Sequence, residues 1–168
     1  MTREKIPDEV PIRRRTEVPK RQKPPGEIIR LAGGKSVSAI CLSPKFWGYD
    51  IHFDTDARRS YACLEDAALC KGCRCLEPVK SKYYLCVSCQ IPGVNWIEFT
   101  EVAARTFMEQ AGERSSYRGL NFTLTRTASS RGRLNVVVNP YLERDGNTLP
   151  SDQDPEVLLR WLWNRESR

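Results

Sequence analysis

The stretch KYYLCVSCQIPGVNWIEFTEVAARTFMEQAG, residues 82–112, decides how this chain is read. Its opening KYYLCVS (82–88) and the later VNWIEFT (94–100) are rich in aromatic and β-branched side chains, as strands are, and Pro92-Gly93 between them marks a turn. At residue 101 the period changes. In EVAARTFMEQAG (101–112) Ala103, Phe107 and Ala111 share one helical face, Thr100 can cap the first turn and Gly112 ends the last.

Working outward, SVSAICL (36–42) and FWGYDIHFD (46–54) look extended and are split by Ser43-Pro44. A cysteine-rich stretch follows at 63–75. Downstream, RGLNFTLTR (118–126) and RLNVVVN (133–139) form a hairpin, with Leu120, Phe122 and Leu124 in alternation and a small loop at 127–132. Asp154 and Pro155 supply the N-cap and first residue of a last helix, with Val157, Leu158, Trp161 and Leu162 as its apolar stripe. There Leu158 and Trp161 are expected to point inward, which leaves Trp163 to contact either the barrel or a protein partner through residues 154–165.

Two strands, an insertion, two strands, a helix and two strands suit a mainly β, OB-like barrel, whose helix falls between its third and fourth strands. That requires the first long extended region to bend, or the early strands to share one barrel position. An SH3-like barrel or another α+β fold is the alternative. The expected organisation is a disordered basic arm at 1–26, an OB-like barrel at 27–142 with a zinc-binding insertion at about 52–75, and a linker with a C-terminal helix at 143–168.

Charge points to the class of partner. The 168 residues hold 27 Lys and Arg against 21 Asp and Glu, a net charge of +6. The arm alone holds eight basic and four acidic residues, with Arg13, Arg14 and Arg15 in a run. A basic arm on a basic domain favours polyanions, because each neutralised phosphate releases counterions. No apolar run approaches the roughly 18–20 residues of a membrane span, and the N-terminus has no secretory apolar core. A cytoplasmic protein is expected.

In that setting seven cysteines read as metal ligands rather than as a disulfide framework. Two sets compete. One joins His52, Cys63, Cys70 and Cys73; the other is a ribbon of Cys70, Cys73, Cys86 and Cys89. Either supplies four ligands for tetrahedral zinc. The ribbon has the stronger spacing. Strand geometry favours the first, since Cys86 and Cys89, three apart in an extended run, face opposite sides, whereas Cys70-Lys71-Gly72-Cys73 contains a turn glycine. Cys41 and Cys86 are then small core residues.

One histidine and three cysteines, the last two forming CxxC within a small β-barrel, resemble the single-stranded-DNA-binding proteins of T-even phages. That resemblance implies an OB fold, a structural zinc and a basic, aromatic-lined cleft for single strands. It covers His52 to Cys73 and the coarse strand order, about a third of the chain. The internal spacings differ, and a Trp-rich helix stands where that family has a long acidic tail.

Binding of single strands without sequence preference needs cations along the backbone and aromatic faces for the bases. Lys45, Trp47, Tyr49, Arg59, Tyr84, Arg118, Arg126, Arg131 and Arg133 are the candidates, for single-stranded DNA with RNA left open. Phe53, Phe99, Phe107 and Phe122 are expected in the core. Asp50, His52, Asp54 and Asp56 alternate along one strand, as they would in a metal-dependent nuclease site, but read as a polar strand face. His52-Phe53-Asp54 is not the His-x-Glu of a zinc deaminase, and Gly33-Gly34-Lys35-Ser36 lacks the rest of a P-loop. The expectation is a non-enzyme serving replication or recombination, as in a phage or mobile element; the alternative is a zinc-ribbon adaptor docking on a larger nucleic-acid machine through its C-terminal helix.

Overall fold

The computed structural model describes residues 26–56, 58–63, 68, 70–75, 78–89, 93–128 and 132–166, with only the backbone for Tyr49, Arg59, Tyr61, Ala62, Leu159, Arg160 and 163–166. In chain order the elements are β1 (Ile28–Ile29), β2 (Ser36–Cys41), β3 (Trp47–Asp54), β4 (Arg59–Ala62), α1 (Lys71–Arg74), β5 (Val79–Cys89), β6 (Val94–Thr100), α2 (Glu101–Ala111), β7 (Asn121–Arg126), β8 (Leu134–Asn139) and α3 (Pro155–Glu166). Single 3-10 turns lie at Pro140–Leu142 and Gly146–Thr148. The arm expected over 1–26 lies outside the described residues except for Gly26. Among the described residues no helix is long and apolar enough to cross a membrane.

β5 organises one mixed sheet of eight strands in the order β1-β6-β5-β2-β7-β8, and also pairs with β3, which carries β4. Every ladder is antiparallel except β1 on β6. β2 and β3 share one edge of β5. Between them the chain bends: Cys41 stands opposite Val87 and Trp47 opposite Tyr84, so five residues, Leu42 to Phe46, face two, Leu85 and Cys86. The excess is absorbed as a bulge. The backbone N–H groups of Leu42 and Ser43 both donate to the Cys86 carbonyl (2.8 and 3.2 Å), and the Cys86 N–H donates to Ser43 Oγ (2.6 Å). The bend lets β2 turn away to pair with β7 while β3 stays with the insertion.

The barrel expected from the sequence is not closed. Among the described residues no ladder joins β6 to β8. The outer edge of β6 is taken by the start of the chain, where the Trp96 N–H donates to Glu27 O (2.8 Å) and β1 runs alongside. The edge of β8 is met by a side chain: Gln110 of α2 donates from Nε2 to Val136 O (3.0 Å) and accepts at Oε1 from the Val138 N–H (2.8 Å). One amide thus supplies the donor and acceptor that a neighbouring strand would offer.

Alternation sorts the apolar residues onto two faces. On one, Phe46, Phe99, Phe107 and Phe122 pack between the sheet and α2, with Phe46 meeting Phe99, Phe107 and Tyr117 edge-on at 5.1, 5.3 and 5.9 Å. α2 is capped as read: Thr100 Oγ1 accepts from the Ala103 N–H, and Gly112, at φ 69°, closes the last turn. On the other face Leu42, Ile51, Tyr84, Cys86 and Trp96 meet Leu158 and Leu162 of α3, while Trp161 is half-buried. Asp154 Oδ1 accepts from the Glu156 N–H (2.8 Å) at the start of α3. Phe53, expected in the core, is 40 % exposed near the end of β3.

Candidate functional site

Alternation along β3 decides which residues form the candidate metal site. Ile51 turns to α3, so His52 turns the other way and is fully buried between β3 and α1. β4 pairs back on β3, and the ladder continues through the Cys63 N–H, which donates to Asp50 O (2.8 Å); this sets Cys63 beside His52. Cys70 and Cys73 lie one helical turn apart, the turn closed by the Arg74 N–H on Cys70 O (3.0 Å). The four ligand atoms all lie within 4.8 Å of one another and could hold a metal ion.

Two of these separations match the edges of a zinc coordination tetrahedron. Cys63 Sγ and Cys73 Sγ are 3.7 Å apart, and Cys73 Sγ is 3.4 Å from His52 Nε2. Thiolates and an imidazole at ordinary zinc bond lengths give edges of about 3.8 Å (S to S) and about 3.6 Å (S to N). Gly72 completes the seat, for any Cβ there would overlap the His52 ring. Desolvation, followed by the neighbouring Cys63 and Cys70, pushes the Cys73 thiol up to about 12. Three thiols so crowded ionise together only if a cation balances them, and a bound dication reverses their preference.

The ribbon set is not assembled. Cys86 is fully buried against α3, whereas Cys89 packs towards the core under α2, so the sheet separates them. Cys41 is also fully buried. The carboxylates near the centre have local partners: Asp50 accepts from Ser81 Oγ, Asp54 Oδ1 accepts from the Asp56 N–H (3.0 Å), and Asp54 Oδ2 lies 3.8 Å from Lys71 Nζ. Among the described residues no carboxylate belongs to a metal-holding group.

The residues expected to meet nucleic acid are not brought onto one surface. Tyr84 is fully buried and donates its hydroxyl to Glu98 Oε2 (2.9 Å), so it offers no stacking face. Trp47 is half-buried in the core under α3, and one face of its ring carries the Lys45 ammonium, 5.2 Å from the centroid. Arg118 is consumed by the fold: Nε donates to Gly146 O, Nη1 to Leu42 O, and Nη2 to Leu149 O and Pro150 O, at 2.8–3.0 Å. It straps the segment before α3 to the bulge between β2 and β3. Arg126 is half-buried and donates to Gly132 O (2.9 Å), while Arg133 is exposed. These two stand at the Ser36 end of β2, since the Arg126 N–H bonds Lys35 O and the Thr127 N–H bonds Arg133 O. Lys45 and Trp47 follow its Cys41 end, a strand length of about 17 Å away. Arg131, and the side chains of Tyr49, Arg59 and Trp163, lie outside the described residues.

The apolar stripe of α3 is turned against the chain's own sheet through Leu158 and Leu162, with Leu158 inward as expected and Trp161 half-buried. Sequence reading passed over Tyr141, which is 95 % exposed. The available signal was an aromatic directly after Pro140, two residues past the end of a strand. Compared with known proteins, the chain matches no protein-family model, no curated protein and no solved structure.

Proposed function

We propose that this chain is a non-catalytic protein that binds single-stranded DNA, on an OB-like barrel left open at one seam and stabilised by one structural zinc. The observation that carries the reading is topological. The strand order β6-β5-β2-β7-β8, with α2 in the connection from β6 to β7, supports an OB-type Greek-key arrangement with its helix in the expected place. Proteins of that architecture bind oligonucleotides, and those tolerant of sequence serve processes that expose single strands, such as replication and recombination. Three thiolates and an imidazole leave no open position on zinc, so the metal holds β3, β4 and α1 together and performs no chemistry.

The test is titration of the metal-loaded chain with an oligothymidine, an oligouridine and the matching duplex at two salt concentrations. Tighter binding of single strands, weakening with salt, is expected. The thymidine and uridine arms separate DNA from RNA. Equal affinity for single and double strands, or no binding at low salt, overturns the reading.

A further inference from the structure

We propose that the single strand lies across the outward face of β2, β7 and β8, with its backbone on a grid of hydroxyl and amide side chains and a base on Tyr141. This rests on the single-strand reading above and says where on the molecule it is carried out. The face of β3, β5 and β6 is closed: α3 covers Tyr84, Cys86 and Trp96 there, and the four carbonyl contacts of Arg118 hold the strap that leads into α3.

The β2-β7-β8 face is built differently. The strand registers set Ser36, Thr125 and Asn135 in one row and Ser38, Thr123 and Val137 in the next. These side chains are exposed or half-buried, and the residues alternating with them fill the core. No strand position on this face is acidic. Ser36 and Thr125 share one hydrogen bond (2.7 Å), as do Ser38 and Thr123 (2.9 Å). A pair of hydroxyls spends one hydrogen between them and keeps the other for an outside acceptor. Phosphate oxygens are such acceptors, and backbone contacts of this kind carry no sequence information.

The two ends of the face complete the match. At one end stand Lys35 and Arg133, with Arg133 on the outward side by alternation with Asn135 and Val137. At the other, two residues beyond β8, stands Tyr141, which at 95 % is the most exposed large apolar side chain among the described residues. Glu143, two residues further on, is ion-paired with Arg114 at 3.2 Å. Val137, in the middle, is 61 % exposed, and a valine there is a flat apolar contact for a sugar or a base. Cations at one end, neutral donors along about 17 Å of strand and an aromatic at the other suit an extended polyanion with unstacked bases.

The experiment uses the full, metal-loaded chain and a labelled oligothymidine, read by fluorescence anisotropy at two salt concentrations. Val137→Glu sets a carboxylate in the middle of the face, Tyr141→Ala removes the aromatic, and Arg133→Ala removes a cation. Lys80→Ala removes an exposed cation from β5, beside the insertion. Thermal midpoints check folding, and Tyr141→Ala keeps the test informative if Val137→Glu fails to fold. Val137→Glu and Tyr141→Ala are expected to weaken binding by about tenfold or more. Arg133→Ala should lower the salt slope by about one, and Lys80→Ala should leave affinity within about twofold. If the wild-type chain binds the single strand while Val137→Glu and Tyr141→Ala bind equally well, this path is wrong and the single-strand reading stands. A larger loss in Lys80→Ala than in the face variants also overturns the path. If the wild-type chain does not bind, the proposed function falls and the path falls with it.

Discussion

Gly72 lies directly beneath the imidazole of His52, so close that a methyl group on its Cα would overlap the ring. The glycine is in the first and only turn of α1, between the two cysteines that face His52, and it is itself buried. Its backbone carries no unusual φ, so the requirement is for space rather than for conformational freedom. A residue without a side chain is what lets an imidazole from a strand and two thiols from a helical turn converge on one point.

Gly72→Ala should therefore weaken metal binding by displacing His52, with all four ligands still present. A loss of about 10- to 100-fold is expected, the range seen when a residue that orients a ligand is changed. Competition against a chelator measures it. Unchanged zinc affinity would show that His52 is not a ligand.

The ligand set is separated from the ribbon by comparing Cys63→Ser with Cys89→Ser. The first should lose the bound metal, because Cys63 is one of the four convergent ligands. The second should retain one metal per chain, because Cys89 lies on the other side of the sheet from Cys86 and packs towards the core under α2. Metal content after gel filtration decides, and the opposite pattern reinstates the ribbon.

Arg118→Ala should destabilise the fold rather than remove a phosphate contact. Its guanidinium satisfies carbonyls of Leu42, Gly146, Leu149 and Pro150, which would lose a charged donor together. A cost of about 2–3 kcal/mol is expected, read as a lower denaturant midpoint. Arg118→Lys should not restore it, since an ammonium lacks the planar fork that reaches carbonyls from several directions. An unchanged midpoint would mean that the strap contributes nothing to holding α3.

Stability should fall in alkaline solution because of the buried thiols. Burial, the largest cause, raises the Cys86 thiol from 9.0 to about 11, and the Cys41 thiol is raised as well, again by burial first. The folded state therefore keeps these protons where the unfolded chain releases them. Their contribution is fully present below about pH 9 and is lost as pH rises from there through 11. Thermal midpoints measured between about pH 8 and 11 should decline, and less steeply in Cys86→Ala. Parallel declines in the two proteins would assign the loss to other groups.

Local pattern determined much of this protein. The 82–112 stretch contained its two strands and its helix, helix caps included, because side-chain shape and capping chemistry act within a few residues; the turn expected at Pro92-Gly93 falls mostly outside the described residues. The break read at Ser43-Pro44 between two extended runs is the bulge before β3, and the preference for His52, Cys63, Cys70 and Cys73 followed from two local facts: a glycine in one CxxC turn, and strand alternation through Cys86 and Cys89.

What only the tertiary structure decided is which side chains remain for a partner. Alternation assigns residues to two faces without saying which face is covered. Tyr84 and Trp47 took the face that α3 closes, more than seventy residues further along the chain, and Arg118 found four carbonyls from two distant segments. The unclosed seam has the same origin, since β1 on the edge of β6 and the Gln110 amide on the edge of β8 are contacts between remote parts of the chain. Periodicity and capping are short-range and legible in sequence. Coverage of a sheet face and the fate of a guanidinium depend on segments that only folding brings together.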